Sequence, residues 1–182
     1  MKYTREECIS DAFLILGTQY FANARFSATS FPSVIPICGN LYHHAIEMFL
    51  KGYLAKFTSS LELKKIGHSL LKLWNITKDK SNDKDLSTFD LVISNLDRFE
   101  EIRYPDSIVD NGMMVGVSDG FGPDLIDQFS DEKPRYKLRI QELDNLVKKI
   151  FDLVSVNPSV YFDGFLDEFR KFIPPYFFST PE

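Results

Sequence analysis

The chain has 182 residues with 44% hydrophobic and 26% charged content, which suits one globular domain, spanning 1–182, and argues against long disorder. Its formal charge of -5 argues against broad, nonspecific nucleic-acid binding, because gripping a phosphate backbone takes clustered Lys and Arg. Cys8 and Cys38 form no CxxC or metal spacing and are expected to be reduced and buried. The charged start and the lack of any 18-residue apolar run imply no secretory signal, no membrane span and a cytoplasmic location.

The first helix is predicted over 5–23, with Thr4 as its cap and Glu6 and Glu7 in its first turn. Ile9, Ala12, Phe13, Leu16, Tyr20 and Phe21 give its apolar stripe. Residues 24–32 read as a connection. The second helix is predicted over 33–57, with Pro36 near its start, where a missing N–H costs little. Cys38, Ala45 and Gly52 recur at heptad spacing, a small-residue line that lets a second helix come close, in this chain or in a second copy of it.

Residues 58–67 read as a short connection, and a third helix begins near His68. A fourth is predicted over 85–102 on the stripe Leu86, Phe89, Val92, Ile93, Leu96 and Phe99. Glycines and prolines across 103–134 prohibit a long regular helix. Within that stretch, residues 113–117 followed by Asp119-Gly120 suit a short β-hairpin. A further helix is predicted over 135–155, and a short Phe-rich one over 159–173, which suits core or dimer packing better than base stacking. Helices of this length with mostly short links favour an all-α, antiparallel up-and-down bundle carrying one long Gly-rich loop.

Side chains that could carry chemistry concentrate on the second helix. His43 and Glu47, His44 and Glu47, and Glu47 and Lys51 are three or four apart, and so are neighbours on the helix surface. A Glu/His pair at this spacing can be half of a carboxylate-bridged metal site, but no second Glu-x-x-His occurs. The spacing alone therefore calls for no metal or cofactor, and an ordinary ion-pair ladder accounts for it. In Gly67-His68-Ser69-Leu70, His68 either orders the loop against Glu47 or adds a titratable group beside it. Arg103 closes the fourth helix, either as a C-terminal cap or as a donor to a carboxylate or phosphate. Phosphate-loop, GxSxG and HExxH motifs are absent, and no nucleophile with its own base is visible.

The segments Tyr42-His43-His44-Ala45-Ile46-Glu47-Met48-Phe49-Leu50-Lys51, Gly67-His68-Ser69-Leu70 and Arg103-Tyr104-Pro105-Asp106 occur in that order. Together they resemble the HEPN domain family over about 35–155. In that family an A-x-E-x-x-L-K-like helix is followed by G-H-x-L and often by R-Y-P before the last long helix. Ala45, Glu47, Leu50 and Lys51 match the first element, Gly67, His68 and Leu70 the second, and Arg103, Tyr104 and Pro105 the third.

The resemblance implies a helical bundle, often a homodimer. Many members are metal-independent ribonucleases with an Arg four to six residues before a His. Here no histidine follows Arg135 or Arg139, which argues against that activity. The resemblance then implies a non-catalytic module for a nucleotide, an RNA or a nucleotidyltransferase-type partner protein, as in toxin–antitoxin systems. Its site would be lined by His44, Glu47, Lys51, His68, Arg103 and Tyr104. The alternatives are a divergent ribonuclease using His68 and Arg103, and a structural homodimerisation module.

Overall fold

A computed structural model of the chain describes residues 4–30, 35–118 and 135–179. They are mostly helical, with one two-stranded sheet. The elements are α1 (Arg5–Ser30), α2 (Ile35–Leu54), α3 (Ser60–Ile66), α4 (Leu70–Ser81), α5 (Asp90–Asp97), α6 (Pro105–Asn111), β1 (Met114–Ser118), β2 (Arg135–Arg139), α7 (Ile140–Val154), α8 (Ser159–Phe162) and α9 (Asp167–Arg170). Short 3-10 segments at Lys84–Phe89 and Arg98–Arg103 flank α5. Among the described residues no helix is long and apolar enough to cross a membrane.

The central element is α2, which packs against α1, α4, α7 and the Arg98–Arg103 turn. Its residues Tyr42, Ala45, Ile46, Phe49, Leu50 and Leu54 are all inaccessible to solvent. Leu41, His44 and Met48 are half-buried and mark the one stripe of its middle turns that reaches the surface. Glu47 therefore lies just inside that stripe.

The line of small residues works inside the chain. Cys38 and Ala45 are fully buried, and at Gly52 a Cβ would stand 3.0 Å from the Leu14 side chain of α1. The Ser10 hydroxyl of α1 donates to the Gly52 carbonyl at 2.8 Å. At Gly52 this line seats α1, and at Cys38 and Ala45 it is covered by the chain itself. The Phe-rich end is core in part: Phe162 and Phe177 stack at 4.9 Å and both meet the fully buried Phe21, whereas Phe165, Phe172 and Phe178 are half-buried and Phe169 is exposed.

Several boundaries differ from the sequence reading. Thr4 does cap α1, in a reciprocal box with Glu7. The helix does not stop at 23, however, but runs to Ser30. Tertiary contacts carry it through the stretch read as a connection: Ala24 is buried, Arg25 binds Asp144 and the Phe172 carbonyl, and Phe26 packs on Phe169 and Phe172.

The stretch 58–67 contains α3, started by a capping box between Ser59 and Glu62. The helix predicted over 85–102 is broken into α5 and its 3-10 flanks. At the break the Asp97 carboxylate accepts from the Leu70 amide at 2.6 Å. The strand at 114–118 exists, but it pairs in parallel with Arg135–Arg139 instead of folding back as a hairpin. The Asp119-Gly120 turn lies outside the described residues. Residues 135–139 form a strand where a helix was predicted. Their pattern alternates, with Tyr136 and Leu138 buried and Lys137 and Arg139 half-exposed. Cys38 is buried as expected, whereas Cys8 is exposed.

Candidate functional site

Glu47 is the centre of a polar cluster within the helical core. Its side chain has no solvent exposure, yet four bonds converge on it. Lys51, one turn further along α2, donates to Oε1 at 2.6 Å. His44 Nδ1, one turn back, donates to Oε2 at 3.3 Å. His68 Nδ1 reaches in from the loop before α4, 3.0 Å from Oε1 and 3.2 Å from Oε2. Burial alone would push the Glu47 carboxyl up. The hydrogen bonds from His44, Lys51 and His68 and the Lys51 charge outweigh it and hold the pKa at about 2. Glu47 is thus a carboxylate that accepts only, and its partners donate.

The loop that carries His68 is fixed from both sides. Gly67 takes φ 77° and ψ -138°, a backbone angle that favours glycine, and Ser69 caps α4 by accepting from the Lys72 amide. The His68 carbonyl lies 3.0 Å from His43 Nε2, and the other ring nitrogen of His43 lies 3.2 Å from the Leu96 carbonyl. A neutral imidazole donates to one of these oxygens and an imidazolium to both. Glu100 Oε2 is 3.9 Å from His43 Nε2, buried and without a hydrogen bond among the described residues. Glu100 Oε1 accepts from Arg103 Nη1 at 3.0 Å. This hydrogen bond and the Glu100 charge raise the Arg103 pKa, and the more distant Glu47 charge adds to the effect.

The sequence-derived residues therefore fall into three positions. His44, Glu47, Lys51 and His68 are in direct contact. Arg103 is one residue removed, held by Glu100, which also neighbours His43. Tyr104 is 62% exposed at the start of α6 and acts on Arg103 only through its charge, with no hydrogen bond to the cluster among the described residues. Compared with family models, curated proteins and solved structures, the chain matches none. Its likeness to HEPN domains therefore stands on the three short segments quoted above.

Chemically the cluster turns the far edge of each ring outward: with Nδ1 donating to Glu47, Nε2 is a lone pair on a neutral imidazole and a donor on an imidazolium. The buried carboxylate takes one ring nitrogen of His44 and one of His68, and the Nε2 of each ring makes no hydrogen bond among the described residues. The His68 side chain is 59% exposed and that of Arg103 42%. The two imidazole rings stand 6.3 Å apart, with Tyr20 5.5 Å from the His44 ring.

Two residues of this network escaped the site read from the sequence. His43 was noted on the helix but left out of the site, although its fully buried ring fixes the His68 loop. Glu100 lies three residues before Arg103 on a helix-like pattern, and that spacing was the available signal. A second polar cluster lies elsewhere: Arg25 pairs with the buried Asp144 at 2.9 Å. The two are 119 positions apart, and nothing local in the sequence announces them. A cavity of about 650 Å³ beside Cys8, Lys56 and Tyr161 shares no residue with the Glu47 cluster.

Proposed function

We propose that the chain is a HEPN-like helical bundle that binds a phosphate-bearing ligand of the nucleotide type without turning it over. The observation that carries this reading is the buried Glu47 carboxylate with its ring of donors. It holds His44, Lys51 and His68 in fixed orientations and leaves imidazole edges and the Arg103 guanidinium facing solvent. The Arg103 guanidinium, and an imidazole edge when its ring carries a second proton, suit the phosphate oxygens of a small ligand. The acidic total charge favours such a ligand over a long polyanion.

The family likeness adds to this reading. Ser10 against Gly52, Gly17 against Phe49 and Phe21 against Tyr42 run in opposite directions along α1 and α2, as an antiparallel bundle requires. A nucleotidyltransferase-type partner protein, and a place in a toxin–antitoxin pair, follow from the likeness alone.

A second reading, RNA cleavage, is favoured by one specific observation. His44 and His68 share one carboxylate, and their rings stand 6.3 Å apart. One ring would take the 2′-hydroxyl proton and the other would protonate the leaving oxygen, with Arg103 on the phosphate.

Titration of tag-free protein with ADP separates these readings. Binding is expected, weakened about tenfold by His68→Ala and by Arg103→Ala, or about 1.4 kcal/mol each. Absence of binding to ADP would count against the module. Single-stranded RNA incubated with the protein across pH 5–9 should remain intact, and cleavage lost in His44→Ala and His68→Ala would move the assignment to the ribonuclease.

A further inference from the structure

We propose that His44, Glu47 and His68 form a binding site for one transition-metal ion of the zinc class. Three ligand atoms, one from each residue, lie within 4.8 Å of one another. Two edges of this triangle share Glu47 Oε2: His44 Nδ1 is 3.3 Å from it and His68 Nδ1 3.2 Å. A tetrahedral ion with bonds of roughly 2.0–2.1 Å needs ligand-to-ligand edges of about 3.3–3.4 Å. Charge-assisted N–H···O bonds to carboxylates close instead to about 2.7–2.9 Å. Lys51 makes such a short contact, at 2.6 Å. The imidazoles stand off from Oε2 at distances that suit an ion between them, although His68 Nδ1 also approaches Oε1 to 3.0 Å.

The surroundings match what a metal site needs outside its ligands. Lys51 holds the non-ligating Oε1, so that Oε2 is aimed at the two rings. His44 and Glu47 are fixed on one helix at i and i+3, and the His68 backbone is held by His43. The exposed side of His68 leaves a fourth position for water or a ligand, as an open rather than a closed site would have.

The donor set also selects the ion. Mg²⁺ and Ca²⁺ take oxygen ligands and lean on carboxylates. Here there is one carboxylate, and Lys51 already balances its charge. Two imidazoles and one carboxylate suit Zn²⁺, with Co²⁺ as its spectroscopic substitute. The missing second Glu-x-x-His is thereby explained: the third ligand comes from a loop, one helix further on. This site goes beyond the nucleotide reading and does not depend on it.

The test is a ZnCl₂ titration of the tag-free, EDTA-stripped full chain by calorimetry. One ion per chain with micromolar or tighter affinity is expected, and Co²⁺ should give the strong visible bands of a tetrahedral complex. His44→Ala and His68→Ala should each weaken binding at least tenfold, with circular dichroism showing that the variants keep their helices. Glu47 is left intact because it is buried. No binding, or an affinity that neither variant changes, overturns the proposal. The ADP titration repeated in EDTA keeps the two proposals apart: ADP bound while Zn²⁺ is refused removes this site alone, and Zn²⁺ bound without ADP supports it while removing the nucleotide reading.

Discussion

Glu47 shows how a charged residue can lie wholly inside a helical core. A carboxylate taken out of water costs several kcal/mol unless hydrogen bonds and an opposite charge replace the lost hydration. Lys51 supplies the charge, and His44 and His68 supply donors. The Lys51 side chain is itself only 9% exposed, so each ion depends on the other. Glu47→Gln keeps the shape but leaves the Lys51 cation without its anion. It should lower the unfolding free energy by about 3 kcal/mol, read as a shift of the urea midpoint at unchanged slope. A loss under 1 kcal/mol would mean that Lys51 is compensated by another group. Of this cluster, the i/i+3/i+4 spacing of His44, Glu47 and Lys51 was legible in the sequence, because helix geometry alone makes those side chains neighbours. That His68 completes it was visible only as one of two options, since a loop's position depends on tertiary contacts such as His43.

At the scale of elements, the close approach of α1 and α2 and the packing of the Arg98–Arg103 turn decide where the cluster sits. Two glycines of α2 serve these contacts unequally. A Cβ at Gly39 would stand 1.8 Å from the fully buried Phe99 ring, so the ring or the backbone would have to move. At Gly52 the nearest atoms are Leu14 side-chain carbons at 3.0 and 3.1 Å, a far smaller overlap. Alanine gains about 1 kcal/mol of helix propensity at either position. Overpacking at Gly39 should exceed that gain, for a net loss of about 2 kcal/mol, or roughly 4–8 °C in Tm for a chain of this size. Gly52→Ala should stay within about 1 kcal/mol of the parent. Thermal melts of the two variants check the ranking, and equal Tm values would refute it.

The same contrast explains which elements could be read in advance. The apolar residues of α2 and α7 repeat at helical period and need no tertiary information, whereas the stripe expected on α1 is displaced: Ala12, Leu16 and Tyr20 are exposed, and Ser10, Leu14, Gly17, Thr18 and Phe21 face α2 and the core instead. The extension of α1 to Ser30 depends on Arg25 reaching Asp144, and the parallel pairing of β1 with β2 joins residues some twenty positions apart. Residues 135–139 did carry a local signal, the alternation Arg-Tyr-Lys-Leu-Arg, but the strong helix that follows from Ile140 masks it.

Across the whole molecule, two buried acids respond to pH in opposite senses. Glu47 is held at about 2, below its ordinary 4.5, by its donors despite burial. Its contribution to stability is fully present above 4.5 and is lost as pH falls towards 2. Asp144 is pushed up from 3.8 to about 6 by burial, which the Arg25 charge only partly offsets, and its Oδ1 is buried without a hydrogen bond among the described residues. Its contribution is fully present below 3.8 and is lost as pH rises through 6. Each displacement corresponds to roughly 3 kcal/mol across its window. Partnered surface carboxylates such as Asp83 and Asp90 are also pulled down and steepen the acid side. Stability should therefore rise from pH 2, pass a maximum between about 4 and 5, and decline towards pH 7. Urea unfolding at half-unit pH steps measures that profile. Asp144→Asn should abolish the decline while leaving the acid limb in place. The slope is the quantity to compare, because the variant also leaves Arg25 without its anion and so shifts the height of the whole curve. A decline that persists unchanged in Asp144→Asn would assign it to another group and leave the Arg25–Asp144 pair as a pH-insensitive tie between α1 and α7.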